Sequence, residues 1–284
     1  MIGADGVSYA VGGRFLVQDV DLEVTPGRLT VVIGPNGAGK STLFRLLTGE
    51  LKPTSGCVAV ASRDVRSLGA FAMARLRAVV PQHTALAFPF VTAEVVELGM
   101  TVSGLMPPGR QARGLVMQML DRVGLLPLAE RAYMTLSGGE RQRVHIARAL
   151  AQLSAADRFA ASCGAGIGST LTLFVDEPTS SLDIAHQLVV LEELKREAAS
   201  GRAVLAVLHD LNLTAANADE VILLSQGRAL ARGRPDEVLC DDVLSEAYGC
   251  DIRLNVAPPA GEPFLLPQVC SASFTPDRSR PSVG

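Results

Sequence analysis

Residues 30–47, TVVIGPNGAGKSTLFRLL, constrain this chain more than any other stretch. Thr30, Val31, Val32 and Ile33 are all β-branched and predict a buried strand, and from Ser41 onward Leu43, Leu46 and Leu47 recur at helical spacing. The intervening Gly34-Pro35-Asn36-Gly37-Ala38-Gly39-Lys40-Ser41, followed by Thr42, matches G-x-x-x-x-G-K-[ST] at every fixed position. Glycines let the backbone turn its N–H groups inward as an anion nest, the helix N-terminus adds its positive dipole end, and Lys40 brings a mobile full charge. One exposed helix-terminus contact is worth only about 0.3–1 kcal/mol, so tight binding needs the N–H groups, Lys40 and a Ser41-bound Mg²⁺ acting together. A polyphosphate suits that geometry.

Composition narrows the class. The 284 residues are 48% hydrophobic and 19% charged, with a net charge of −3. That is ample for a buried core and leaves no global basic surface for nucleic acid. No apolar run reaches the ~18 residues of a membrane helix; the strongest, 203–208, is strand-sized. The opening MIGADGVSYAVGG has neither a basic segment nor an apolar signal core, which predicts a chain that is not exported. Five cysteines form no C-x-x-C pair, which predicts reduced thiols in cytoplasm rather than disulfides or zinc.

Residues 2–33 alternate short apolar runs with Gly and Asp turns and predict antiparallel β-structure feeding an α/β core. Tyr9 there has the ring to stack on adenine, although a strand tyrosine alone reads more simply as packing. A turn at 53–56 precedes a strand at 57–61, a helix at 70–77, and Val79-Val80 running into Pro81-Gln82. Gln82 has the chemistry to ligate Mg²⁺ and orient a water; by itself it reads as a solvated loop amide.

Residues 91–135 lack strand patterning and predict helices at 93–98 and 114–123, separated by the breaker-rich 103–109. We read a helical subdomain of about 91–150 inserted into the core. It ends at Leu136-Ser137-Gly138-Gly139-Glu140, where Ser137 is a good N-cap and Glu140 completes a capping box. Two glycines at a helix start also admit an anion. The chain already owns one phosphate loop, so a second makes sense if it meets a phosphate held by another copy.

Residues 154–170 read as a small, polar, Gly-rich loop insertion, and 171–175 as a buried strand ending in Asp176-Glu177. Ligands collect at the carboxyl ends of strands in doubly wound sheets, which places Asp176 to hold Mg²⁺ and Glu177 to polarise an attacking water. Asp183 predicts a cap for a helix over 184–199, and the 203–208 strand runs into His209, where a γ-phosphate contact is feasible. His83, His145 and His186 show no ligand spacing and read as structural or solvent-facing. A hairpin about Gln226-Gly227, helices at 236–239 and 243–248, and strands at 252–256 and 263–269 complete the ordered part. The last two form a C-terminal β extension over 251–270, and the Ser/Pro/Arg-rich 271–284 reads as a disordered tail.

In this order the phosphate loop, Gln82, LSGGERQ, VDEPTSSLD and His209 resemble the ATP-binding cassette ATPases over residues 2 to about 250. The resemblance implies an α/β P-loop NTPase core, a mostly parallel sheet flanked by helices, with an N-terminal antiparallel β-subdomain and a helical subdomain. It implies ATP and Mg²⁺ as cofactors, adenine stacking by Tyr9, phosphate binding by Gly34 to Thr42, and Mg²⁺ held by Ser41, Gln82 and Asp176. Glu177 would be the general base, Gln82 would couple, His209 would contact the γ-phosphate, and Asp183 would belong to a dimer-contact loop. Ser137, Gly138 and Gly139 would bind nucleotide held by the opposite copy of a head-to-tail homodimer.

Within that family the runs 79–99 and 120–153 are similar to the ATPases of bacterial hemin importers, with iron-siderophore and cobalamin importers as close relatives. The long, polar 154–170 insertion is a departure that leaves the geometry of the strand entering Asp176 open. The resemblance implies two transmembrane permease subunits on separate chains, a periplasmic solute-binding protein, no nucleic acid, and a peripheral place on the cytoplasmic face of the inner membrane. A P-loop GTPase or small-molecule kinase would explain the phosphate loop but not LSGGE, and no N-K-x-D motif is present. Soluble repair cassettes carry long heptad arms between the two motifs and translation cassettes usually come in pairs; neither pattern is found.

Overall fold

Alternating and continuous apolar runs separate into two sheets in the computed structural model, which describes residues 2–60, 62–82, 88–162, 171–257, 259 and 263. The alternating N-terminal segments form an antiparallel sheet: β1 (Ile2–Val11) pairs with β2 (Arg14–Val24) and β4 (Ser55–Val60), and β4 carries the short β5 (Arg63–Asp64). The continuous runs form a six-stranded sheet from β3 (Leu29–Ile33), β6 (Arg77–Val80), β7 (Thr172–Asp176), β8 (Ala203–Val207), β9 (Glu220–Ser225) and β10 (Arg228–Gly233). Its order is β10-β9-β3-β8-β7-β6, parallel throughout except for the β9–β10 hairpin.

Both faces of this sheet are covered, so its strands carry apolar residues in succession. Leu29, Val31 and Ile33 enter one core, Val32 the other. In the second core α1 (Lys40–Leu47) lies between the two sheets, burying Leu43, Phe44, Leu46 and Leu47 with Ile2, Val7 and Val60. The first core receives α3 (Thr92–Ser103), α4 (Gly109–Arg122), α5 (Gly138–Ser162) and α6 (Ile184–Ala199). The short α2 (Ala70–Ala74), α7 (Leu211–Asn217), α8 (Pro235–Val238) and α9 (Asp241–Tyr248) flank the sheets. The expected α/β architecture is present.

Three local expectations change. Residues 154–162 are not loop but the last turns of the 25-residue α5: alanine favours helix, and Ala155, Ala156 and Ala160 are buried there. Cys163 to Thr170 lie outside the described residues. The helix at 70–77 stops at Ala74, because Arg77 already pairs with Thr172 as the start of β6. Residues 252–256 form no strand: the Ile252 N–H donates to Ser245 Oγ (3.0 Å) and the Leu254 N–H to Asp241 Oδ1 (2.9 Å), so α9 takes the donors a ladder would need. Of the 263–269 candidate only Pro263 is described, and 271–284 lie outside the described residues.

Buried charges fasten α4 to α6. Arg122 at the end of α4 donates to Glu193 and Glu197, each at 2.6 Å, and both carboxylates are almost completely buried. Arg202 pairs with Glu197 and with Asp157 of the α5 extension. The extension therefore takes part in the network that holds the helices against the core.

Candidate functional site

The phosphate loop bridges β3 and α1, and two of its glycines sit where no side chain fits. Gly34 (φ +144°) has a Cβ position 2.2 Å from the Leu224 carbonyl oxygen, and Gly39 (φ +102°) one 2.4 Å from the Leu16 carbonyl oxygen. The loop is also held from outside: the Gly227 N–H donates to the Ala38 carbonyl at 3.0 Å, and the Gln18 N–H to the Gly227 carbonyl at 2.7 Å. Lys40 Nζ donates to the carbonyl oxygens of Gly34 (2.6 Å) and Pro35 (3.0 Å). Burial lowers its pKa, opposed by the charges of Glu177 and Asp176.

A cavity of about 250 Å³ opens here, lined by the loop residues Asn36 to Thr42, apart from Ala38, and by Leu16, Glu177 and His209. The end of β7 brings Glu177 to it, with Asp176 one residue before. Asp176 closes β7, is buried, and its Oδ1 has no hydrogen-bond partner among the described residues. Burial first, and the Glu177 charge second, push its carboxyl up to about 6. An unpartnered buried carboxylate oxygen beside a phosphate loop fits a divalent cation.

Glu177 adopts φ +50°, a conformation that costs a residue with a side chain energy and is held here by neighbours. Its N–H donates to the Val207 carbonyl at 3.1 Å, and the Ser180 hydroxyl donates to its carbonyl at 3.1 Å. The result aims the carboxylate into the cavity, where Gln82 Nε2 donates to Oε2 at 2.6 Å and His209 Nε2 lies 2.5 Å from Oε1. Three residues from three strand ends thus meet at one carboxylate.

The profile of the ABC transporter family matches residues 17–155. The "Hemin import ATP-binding protein HmuV" of Rhizobium meliloti (strain 1021) is 40% identical over 269 residues, covering 94% of this chain and 98% of that one. The protein of the same name from Rhodopseudomonas palustris (strain ATCC BAA-98 / CGA009) is 43% identical, covering 94% of each. The chain belongs to the ABC transporter family. Among solved structures, a dimeric bacterial ABC transporter cassette superimposes with a TM-score of 0.69 at 26% identity, covering 83% of this chain and 99% of that one. An ABC transporter in an inward-facing conformation gives 0.68 at 26% identity, covering 87% and 88%. The cassette is accordingly an ATPase, and among its described residues no helix is long and apolar enough to cross a membrane.

The segment expected to be a second anion-binding motif in this ABC ATPase does not line the cavities beside the phosphate loop. Ser137 and Glu140 form the expected capping box, with Glu140 Oε2 accepting from the Ser137 N–H at 2.7 Å and Ser137 Oγ accepting from the Glu140 N–H at 3.2 Å. Ser137 and Gly138 are exposed and line neither cavity beside the phosphate loop. Gly139 backs onto Ser181 and Leu182, with only 3.0 Å between its Cβ position and either. Asp183, one residue on, caps α6 and accepts from the His186 N–H at 2.9 Å. His186 pairs with it, His145 is buried, and His83 lies outside the described residues.

Tyr9 lines neither of the cavities beside the phosphate loop. It is half-buried against the core under α1, paired with Val17 across the β1–β2 ladder. The aromatic beside the loop is Phe15, 48% exposed, which lines a second cavity of about 500 Å³ with Pro35 to Ala38 and Gly227. Its signal was an exposed aromatic just after the Gly12-Gly13 turn; what identifies it is the contact of Leu16 with Gly39, which no local pattern displays.

Proposed function

We propose that this ATPase powers the import of hemin by a bacterial transporter. The cargo assignment is supported by the 40% and 43% identity, over 94% of the chain, to proteins named for hemin import. Two copies act as a head-to-tail pair, each offering Ser137, Gly138 and Gly139, and the loop of Asp183, to ATP on the other. The exposed position of this second anion site, away from its own phosphate loop, supports that pairing. Two permease chains and a periplasmic binding protein complete the system, with this subunit peripheral at the cytoplasmic face of the inner membrane. Reconstituted with its permease, the complex should hydrolyse ATP faster when the binding protein presents hemin. Stimulation by a ferric siderophore or cobalamin instead would transfer the assignment to that importer class.

ATP phosphates occupy the nest of Gly34 to Thr42, and Lys40 moves its ammonium from two backbone carbonyls to phosphate oxygens. Ser41, Gln82 and Asp176 would hold Mg²⁺, which neutralises phosphate charge. Glu177 accepts a proton from the attacking water as the water oxygen bonds to the γ-phosphorus and the bond to ADP breaks. His209 holds the Glu177 carboxylate and reaches the γ-phosphate from the end of β8. Closure follows ATP because the phosphates contact both copies, and hydrolysis removes those contacts.

Two outcomes test the site. Phe15→Ala should weaken ATP binding by roughly 1–3 kcal/mol if the ring carries the adenine, whereas Tyr9→Ala should lower the thermal midpoint and leave affinity near that of the wild type; a fluorescent ATP analogue reads both. The raised Asp176 pKa gives a pH signature. Between its ordinary value of 3.8 and about 6 the folded chain keeps a proton the unfolded chain has released. That contribution to stability is complete below about 3.8 and is lost as pH rises through about 6. Mg²⁺ requires the ionised form, so it should raise the thermal midpoint at pH 7.5 and have little effect at pH 5, and Asp176→Asn should remove the difference.

A further inference from the structure

Tyr133 and His145 are fully buried polar side chains that the chemistry above leaves unused. The Tyr133 hydroxyl and His145 Nε2 share a hydrogen bond of 2.7 Å, with the rings 5.7 Å apart and nearly edge-on. His145 Nδ1 has no partner among the described residues, so the ring's only hydrogen bond there is to Tyr133. Burial, with the Arg148 charge adding to it, pushes the His145 pKa down to about 3, so the ring stays neutral at working pH.

The location gives the pair its meaning. Tyr133 opens a 3₁₀ turn, Tyr133–Thr135, that leads directly into Leu136 and Ser137. His145 sits on α5 two turns beyond Ser137, so the Tyr133–His145 bond closes a ring of chain around the exposed Ser137 and Gly138 and the half-buried Gly139. The same segment is tied to the chain that follows Gln82: the Tyr133 N–H donates to the Phe90 carbonyl, the Thr92 N–H to the Arg131 carbonyl and the Ala93 N–H to the Ala129 carbonyl, each at 2.9 Å. Every one of those ties lies N-terminal to Ser137. From the α5 side, the side-chain ties back to this stretch among the described residues are the capping box and the Tyr133–His145 bond.

We propose that Tyr133 and His145 are positioning residues that fix the orientation of the Ser137–Gly139 face toward ATP held by a second copy. The inference rests on the head-to-tail reading of that face. Without the bond the capping box is the side-chain tie that remains between α5 and this stretch among the described residues, and the ring is held less firmly, while the phosphate loop of the same chain is built from other elements.

The test compares Tyr133→Phe, Tyr133→Phe/His145→Leu, His145→Gln and Ser137→Arg, each in the full chain with Glu177→Gln to hold ATP. Three quantities are read: affinity of the single chain for a fluorescent ATP analogue, the ATP-dependent monomer–dimer dissociation constant by sedimentation, and the thermal midpoint. Tyr133→Phe should leave nucleotide affinity unchanged and raise the dimer dissociation constant about tenfold. The double variant, which removes the orphaned imidazole, should recover the thermal midpoint while pairing stays weak. His145→Gln, whose amide can still bond Tyr133, should pair nearly as the parent does. Pairing restored together with stability in the double variant, or parent-like pairing in Tyr133→Phe, would overturn the proposal. Ser137→Arg separates the two layers: weak pairing there with normal pairing in Tyr133→Phe sinks only the positioning role, and normal pairing in Ser137→Arg sinks the head-to-tail reading and this inference together.

Discussion

Glu177→Gln should reduce ATP turnover by about 10²- to 10⁴-fold, the usual contribution of a general base, and at the same time leave a stable ATP-bound dimer. Both halves follow from the geometry. A Gln oxygen can still meet His209, and the backbone bonds to Val207 and from Ser180 that hold residue 177 at φ +50° do not involve its side chain. What disappears is the group that the proposed mechanism uses to take the proton from water, along with a negative charge in the cavity beside the phosphate loop. Removing that repulsion favours bound ATP, so hydrolysis slows while occupancy rises. Phosphate release and size-exclusion chromatography in the presence of ATP measure the two effects; near-normal hydrolysis would remove Glu177 from the chemistry.

Lys40→Met should act in the opposite place, on binding. The Lys40 ammonium makes two hydrogen bonds to loop carbonyls, at 2.6 and 3.0 Å, which in the proposed mechanism it exchanges for phosphate oxygens when ATP enters. Hydrogen bonds to a charged group are worth about 1.5–3 kcal/mol each, so losing two should weaken ATP binding by about 10²- to 10⁴-fold. The α1 packing does not depend on the charge, because Leu43, Phe44, Leu46 and Leu47 fill the core beneath it. A methionine there should therefore leave the thermal midpoint of nucleotide-free protein close to that of the parent. Equilibrium binding of a fluorescent ATP analogue gives the affinity, and unchanged affinity would contradict the assignment.

The features legible in the sequence are those where a ligand or a chain reversal dictates residues locally. Gly34 and Gly39 face backbone oxygens at distances that exclude a Cβ, and Lys40 and Ser41 follow at the one spacing that opens the helix on the loop. Asp183 caps α6, and Gln226-Gly227 turn a hairpin, because those jobs are done within a few residues. The less legible features depend on distant partners. Residues 154–162 look like a loop because Ser, Asp and small residues dominate; Asp157 is paired with Arg202, forty-five positions away, and the buried alanines continue α5. Residues 252–256 alternate like a strand, but Ile252 and Leu254 pack on the core while α9 side chains take their N–H groups. The adenine contact that we propose for Phe15 in place of Tyr9 was hidden for the same reason. Which hairpin aromatic meets the phosphate loop is set by where Leu16 touches Gly39.

The central claim is that each copy holds half of each working site; it is supported by Ser137 and Gly138, which are exposed and do not line the cavities beside the phosphate loop of their own chain. Mixing tests it most directly. Lys40→Met and Ser137→Arg chains should each be nearly inactive alone, and an equal mixture should recover about a quarter of the wild-type rate, because half the random pairs are mixed and each mixed pair has one complete site of two. A mixture as inactive as its components, or a Ser137→Arg chain hydrolysing at the full rate by itself, would contradict the account.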